Sequence, residues 1–259
     1  MELGILLVGL FAGVMSGMFG IGGGIVMVPV LIAFFGMDML NANATSLAAM
    51  LLPVAIFGVI NYYKAGLVNV KDSLWLAGGL LLGSFFGAKL ALYIDVIILS
   101  KLYALYLLYI AIGYMNIPAL LAKKKNKNLD TTITKQKKAY SLWLFLALGM
   151  FAGIIAGMFG KGGGLIIVPI LISFFDYQPK AATATSLAAL QLPVGLPSVL
   201  VYAQQGYLNF LWAGLMALGI LIGAFFGSKL ALKLPSEIFK KVYAVFLLGV
   251  AVYMVAKYV

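Results

Sequence analysis

The chain has 259 residues, of which 64% are hydrophobic and 10% charged, with a mean hydropathy of +1.11, where a soluble domain has about a quarter of its residues charged. Cys and His are absent and all 18 basic residues are Lys, which excludes disulfides, thiol nucleophiles, thiolate or imidazole metal sites and His-based proton transfer. The net charge of +11 does not point to nucleic acid: Lys123, Lys124, Lys125, Lys127, Lys135, Lys137 and Lys138 share one short stretch and the rest mostly flank apolar runs, as membrane topology requires.

From the start, Met1-Glu2-Leu3 has no basic n-region and no convincing cleavage site follows, so no signal peptide is expected. Apolar runs follow at about 3–19, 24–36, 44–62, 74–93 and 98–120, and again at about 143–159, 164–175, 184–202, 212–233 and 241–258. Several approach the ~20 residues that a helix needs to cross a bilayer, and barrel-type alternation is absent. The expected class is therefore an all-α, multi-pass integral membrane protein.

Two halves are related at a constant offset of 140 residues, Gly13 to Gly153 onward. GVMSGMFGIGGGIVMVP (13–29) returns as GIIAGMFGKGGGLIIVP (153–169), Thr45-Ser46-Leu47-Ala48-Ala49 as Thr185-Ser186-Leu187-Ala188-Ala189, and Pro53, Tyr62, Gly83 and Phe85-Phe86-Gly87 as Pro193, Tyr202, Gly223 and Phe225-Phe226-Gly227. A repeat of this size in a membrane chain is characteristic of secondary transporters. It divides the chain into a first transmembrane repeat (1–121), a Lys-rich cytoplasmic linker (122–140) and a second repeat (141–259).

The first two runs of each half are read as short; a run of 13 residues reaches only ~20 Å, less than the ~30 Å hydrocarbon core. The first two runs are read as a short helical hairpin turning at the glycines and leaving by the face it entered, followed by three transmembrane helices. With the linker inside, Lys64, Lys71 and Asp72 mark a cytoplasmic loop, while its counterpart at 202–212 is uncharged and Lys233, Lys240 and Lys241 crowd a different connection. Matching loops that differ in positive charge predict an inverted repeat with both termini outside.

Triple glycines in apolar sequence cost helix stability unless bare backbone is needed. Gly22, Gly23 and Gly24, and Gly162, Gly163 and Gly164, would each open a short helix whose unsatisfied N–H groups and positive dipole end point into a shared mid-membrane cavity, a geometry suited to an anion. No Lys-Ser/Thr follows, so this is not a Walker loop, and no strand precedes it, so it is not a Rossmann fingerprint. The GxxxG spacings at Gly13/Gly17, Gly79/Gly83/Gly87 and their repeats read as close helix packing. Lys161 stands where the first half has Ile21; an ammonium at membrane depth costs at least about 2.5 kcal/mol, so it is read as an anion ligand or, if the hairpin is shallow, as a snorkelling turn residue.

Asn41, Asn43, Thr45 and Ser46, with Thr183, Thr185 and Ser186, open the third runs, either as caps or as groups that bond substrate oxygens beside the glycine turns. Pro53 and Pro193 break these runs and suggest hinges; Gln191, where the first half has Leu51, is a deep polar group facing protein or substrate. Tyr62, Tyr202 and Trp75 read as interfacial belt aromatics. No carboxylate falls mid-run, which argues against a carboxylate proton relay and leaves Lys161 or the anion itself to carry a proton.

The doubled GxxxGxxGxGGGxxxVPxL pattern, each copy followed by A-x-A-T-S-L-A-A, resembles the TauE/SafE family of sulfite exporters and related anion permeases, across nearly all of both halves. The resemblance implies a cytoplasmic-membrane transporter of small sulfur-containing or organic anions such as sulfite or sulfonates, driven by an ion gradient, and leaves open whether proton or sodium is the coupling ion. It supplies no cofactor and no nucleic-acid partner, and leaves the direction of transport and the oligomeric state open. Alternating access is the expected mechanism, with an anion channel as the alternative. An intramembrane enzyme, which is not expected, would have only Ser46 or Ser186 with Lys161 to work with.

Overall fold

The computed structural model describes residues 1–19, 22–51, 53, 55–106, 108, 140–160, 163–233 and the separate positions 248, 249, 252 and 256. Among them there is no strand. The Lys-rich linker and nearly all of the fifth run of the second half lie outside the described residues.

The first half forms α1 (Glu2–Phe19), α2 (Gly24–Phe35), α3 (Met39–Ala49), α4 (Ile56–Lys64) and α5 (Val70–Tyr93), with α6 at Val96–Tyr106. The second forms α7 (Leu142–Phe159), α8 (Gly164–Ser173), α9 (Pro179–Ala189), α10 (Leu196–Gln204) and α11 (Phe210–Lys233). Local chemistry sets the ends. α2 stops at Gly36, left-handed with φ 66°, whose N–H returns to the Leu31 carbonyl, the glycine stop that closes many helices. α5 and α11 start at equivalent asparagines: the Asn69 side chain accepts from the Asp72 N–H at 3.3 Å and that of Asn209 from the Trp212 N–H at 3.1 Å, each satisfying a first-turn donor.

One expectation about the runs is corrected. α1 and α7 are not short hairpin arms: at 18 residues each they extend about 27 Å, and with α5 and α11 they are the four helices among the described residues that are long and apolar enough to cross a membrane. The third run of each half is a pair of short helices, α3–α4 and α9–α10, interrupted around Pro53 and Pro193, where the prolines predict a break. Proline lacks the N–H that would continue the ladder, and its ring displaces the preceding turn.

The chain forms two compact units, residues 1–95 with 140–233, and residues 96–139 with 234–259. In the second, α6 buries Leu99 and Tyr103, and the Ser100 Oγ donates to the Val96 carbonyl at 2.7 Å. In the first, each half's long helices find their main partners in the other half: α1 packs along α11, and α5 along α7. The glycines make this possible. A Cβ on Gly13 would sit 2.5 Å from the Ile220 carbonyl oxygen, and one on Gly83 2.1 Å from that of Met150. The same approach recurs on both helices of each pair, at Gly9, Gly17, Gly219, Gly223 and Gly227, and at Gly79, Gly87, Gly149, Gly153 and Gly157. Lipid supplies no hydrophobic drive to bring helices together, so backbone contact of this kind carries the association. The outer faces are apolar: Leu3, Leu7 and Phe11 form an exposed stripe on α1, and Leu218, Ile222 and Phe226 one on α11.

Candidate functional site

Each glycine turn joins a long helix to a short one. After α1, Gly22 is left-handed at φ 72° and Gly23 stands at the start of α2 with no side-chain cap. After α7, Gly160 is left-handed at φ 67°, and Gly163 opens α8, also without a side-chain cap. The Gly23 carbonyl accepts from the Val26 and Met27 N–H groups and the Gly163 carbonyl from those of Ile166 and Ile167, all at 3.0–3.1 Å. The first N–H groups of α2 and α8, from Gly24 and Gly164 onward, have no acceptor within their own helices. Lys161 and Gly162 lie outside the described residues.

The turn of the second half is clasped by α3 of the first. Asn43 Nδ2 donates to the Met158 carbonyl at 2.8 Å and Ser46 Oγ to the Gly160 carbonyl at 2.6 Å. Asn43 Oδ1 is buried with no hydrogen-bond partner among the described residues. Thr45 and Thr185 are engaged in matching contacts: Thr45 Oγ1 accepts from the Asn209 N–H at 3.4 Å and Thr185 Oγ1 from the Asn69 N–H at 3.2 Å. Ser186, the counterpart of Ser46, lies on α9. Asn43, Thr45, Ser46, Thr185 and Ser186 are all 0% exposed. Asn43, Thr45, Ser46 and Thr185 therefore bridge the two halves from inside the protein.

Tyr62 and Tyr202 are not belt aromatics. Both are buried, and their hydroxyls donate to the carbonyls of Gly17 at 2.9 Å and Gly157 at 2.8 Å. These carbonyls belong to the last turns of α1 and α7, where the helix itself leaves acceptors unfilled. Each tyrosine thus fixes the helix end that feeds its own half's glycine turn. Their recurrence at the common offset was the available signal; their place near the ends of runs pointed to the interface instead. Trp75 is half-buried and packs edge-on to Trp143 at 5.5 Å between centroids.

The two helix interruptions touch. Gln191 Oε1 accepts from the Ala55 N–H at 3.1 Å, and its Nε2 donates to the Leu187 carbonyl at 3.0 Å. Gln191 thus faces protein, supplying an acceptor to backbone that the break beside Pro53 leaves outside a helix. Ser84 Oγ donates to the Val194 carbonyl at 2.8 Å, next to Pro193. A narrow cavity lies here, walled by Leu47 of α3 and Met50 just after it, Leu80 and Ser84 of α5, Ala156 of α7, Gly163, and Val194 and Gly195 of the second break. The α8 N-terminus and a helix interruption thus share one enclosure, apolar except for main chain and one hydroxyl.

The family model for the sulfite exporter TauE/SafE matches residues 5–254. This chain belongs to the TauE/SafE family. A "probable membrane transporter protein" of Methanocaldococcus jannaschii is 31% identical over 247 residues, 92% of this chain and 87% of that one. The "probable membrane transporter protein YdhB" of Bacillus subtilis is 27% identical over 243 residues, covering 94% and 95%. No solved structure matches. As a TauE/SafE member with four helices among its described residues long and apolar enough to cross a bilayer, the chain is a multi-pass membrane protein of a transporter family, and these relatives are named as probable membrane transporters.

Proposed function

We propose that this chain is a secondary transporter of small sulfur-containing or organic anions, of the sulfite and sulfonate class, in the cytoplasmic membrane. Its halves form an inverted repeat that alternates access to a site at the glycine turns, and a proton or sodium gradient drives it. Gly22, Gly23, Gly24, Gly162, Gly163 and Gly164 present main-chain N–H groups, Lys161 supplies the counter-charge, and Asn43, Thr45, Ser46, Thr185, Ser186 and Gln191 shape the surround. The observation that carries this reading is the uncapped start of α8 at Gly163, which lines the same cavity as the helix break at Val194 and Gly195. Unfilled N–H groups at a helix start attract an anion, and half-helices of this kind form the substrate sites of transporters built from repeats. The breaks at Pro53 and Pro193 serve as hinges, because a proline interruption has no continuous ladder to bend.

The test is a thermal-shift screen of purified protein against sulfite, thiosulfate, sulfonates, carboxylates and phosphate, since a ligand that binds the native state raises its apparent stability. Sulfite or a sulfonate is expected to stabilise selectively and to undergo saturable counterflow in proteoliposomes. Absence of any anion effect sinks the reading, and ohmic conductance without counterflow replaces the transporter with a channel.

A further inference from the structure

Asp72 lies at the start of α5, where its place beside Lys71 at the end of an apolar run suggests an aqueous carboxylate. The fold buries it. It is 8% exposed, and among the described residues it is the one carboxylate in the interior. Tyr177, from the segment leading into α9 of the other half and itself 6% exposed, donates its hydroxyl to Asp72 Oδ2, and Asn69 Nδ2 donates to the same oxygen at 2.6 Å. Around this pair the halves are tied by main chain as well: the Asn69 N–H reaches Thr185 Oγ1, and Ser73 Oγ donates to the Thr185 carbonyl at 2.9 Å.

The mirrored position shows what is special here. Asn209 reproduces the Asn69 contacts, with its N–H on Thr45 and its side chain on the Trp212 N–H. Yet Trp212, Ala213 and Met37 stand where Asp72, Ser73 and Tyr177 would be. The common scaffold is satisfied without a carboxylate, so holding the scaffold together does not account for Asp72. A buried ionisable group in a membrane protein is costly to keep and marks an ion or proton pathway.

We infer that Asp72 is a proton-binding site, and that its protonation loosens the Tyr177 contact joining the two halves. The carboxylate takes one proton from the loop side, where Lys64 and Lys71 are exposed, and forms one O–H bond. As a carboxylic acid it loses the charge that makes it a strong acceptor for Tyr177 and Asn69. The titratable groups that face it are Lys71 from α5 and Tyr177 from the α9 side. Of the other groups on neighbouring elements, Asp176 is engaged by Tyr140 at 3.3 Å, Lys180 by the Leu232 carbonyl at 3.3 Å, and Tyr202 by Gly157. α7 and α8 carry no titratable side chain. As the coupling site for the proposed anion transport, Asp72 rests on that reading; as a proton site it does not.

Two measurements on the full-length protein separate these. Infrared difference spectroscopy of reconstituted protein, titrated from alkaline to acidic pH, is expected to show a protonated-carboxyl band that disappears in Asp72→Asn. In Tyr177→Phe the ionised form has lost a donor, so the band should persist to higher pH, by about one pH unit. A band unchanged in Asp72→Asn, or an unmoved midpoint in Tyr177→Phe, overturns the proton site whether or not anions are transported. In vesicles holding a pH-sensitive dye, an imposed sulfite gradient should move protons with the wild type, whereas Asp72→Asn should exchange sulfite and move none. Proton movement equal to wild type in that variant overturns the coupling role. A wild type that exchanges no anion overturns the transport reading, and with it the coupling role, and leaves the infrared result to decide the proton site.

Discussion

The Ser46 hydroxyl donates to the Gly160 carbonyl at 2.6 Å across 114 residues of sequence. It ties the third run of one half to the glycine turn of the other. Because Gly160 is left-handed at φ 67° and an added Cβ would fall 2.5 Å from Asn43 Cα, this turn is held by shape as well as by hydrogen bonds.

Gly160→Ala should therefore destabilise the protein by more than the backbone strain alone. Gly206 supplies the comparison, since it too is left-handed, at φ 77°, with nothing within 4 Å of the point a methyl would occupy. Gly206→Ala should cost about 1–2 kcal/mol, the price of the left-handed conformation for a non-glycine residue. Gly160→Ala should exceed that by at least about 1 kcal/mol, because backbone must shift to admit the methyl. Thermal unfolding of both variants in one detergent makes the comparison; equal losses would show that the α3 contact is slack.

Tyr62→Phe and Tyr202→Phe each delete one hydroxyl and leave a helix-end carbonyl, Gly17 or Gly157, without its side-chain donor. Each should lose about 1–3 kcal/mol, the cost of a buried polar group left unmet. The two losses should agree closely, since the contacts differ by only 0.1 Å between 2.9 and 2.8 Å. A pair of belt tyrosines would give losses near zero.

The organisation of the fold is largely legible in sequence, and the reasons are specific. Gly24 and Gly164 begin α2 and α8 where the triple glycines place them, because three residues without Cβ leave a helix little else to start from. The GxxxG spacing identified faces that pack closely, but periodicity names a face and not its partner. Nothing in Gly13 says that it meets Ile220 rather than a neighbour in its own half. Pro53 signalled an interruption; whether the run bends or splits depends on what receives the freed backbone, and Gln191, 136 residues away, is part of that answer. The burial of Tyr62, Tyr202 and Asp72 was hidden for a common reason. Each stands near the end of an apolar run, where hydropathy alone reads an aqueous edge, while the connecting loops fold inward onto α3 and α9.

The helix seams yield a sharp contrast on a single helix. Gly78 and Gly79 are adjacent on α5, yet a Cβ on Gly79 would lie 2.1 Å from the Leu146 carbonyl oxygen, and one on Gly78 3.5 Å from Leu146 Cδ1. Gly78→Ala should be neutral or stabilising by up to about 1 kcal/mol from helix propensity. Gly79→Ala must separate α5 from α7 and should cost about 1–3 kcal/mol. Thermal unfolding of the two variants checks the ordering, and a reversed order would place the seam on the wrong face of α5.

Lys161 and Gly163 test the proposed anion site from two directions. Lys161 departs from the internal symmetry, standing where the first half has Ile21, so removing it should lower affinity without disturbing what the halves share. Lys161→Ala should weaken sulfite binding by roughly tenfold or more, as expected when a hydrogen bond of about 1.5–3 kcal/mol to a charged group is lost. Gly163→Ala acts by space: its methyl would lie 2.6 Å from Leu80 Cδ2 and 3.0 Å from Ala152 Cβ, at the wall of the cavity. The Leu80 side chain can swing aside, so the fold should survive, but the methyl screens the first N–H groups of α8 and binding should fall by a similar factor. Lys180→Ala is the control, because Lys180 is exposed and bonded to the Leu232 carbonyl; it should change affinity by less than about twofold, as screening by salt allows for a distant surface charge. Sulfite titrations followed by thermal shift in all three variants decide the matter, and unchanged affinity and pH dependence in Lys161→Ala would remove that residue from the site.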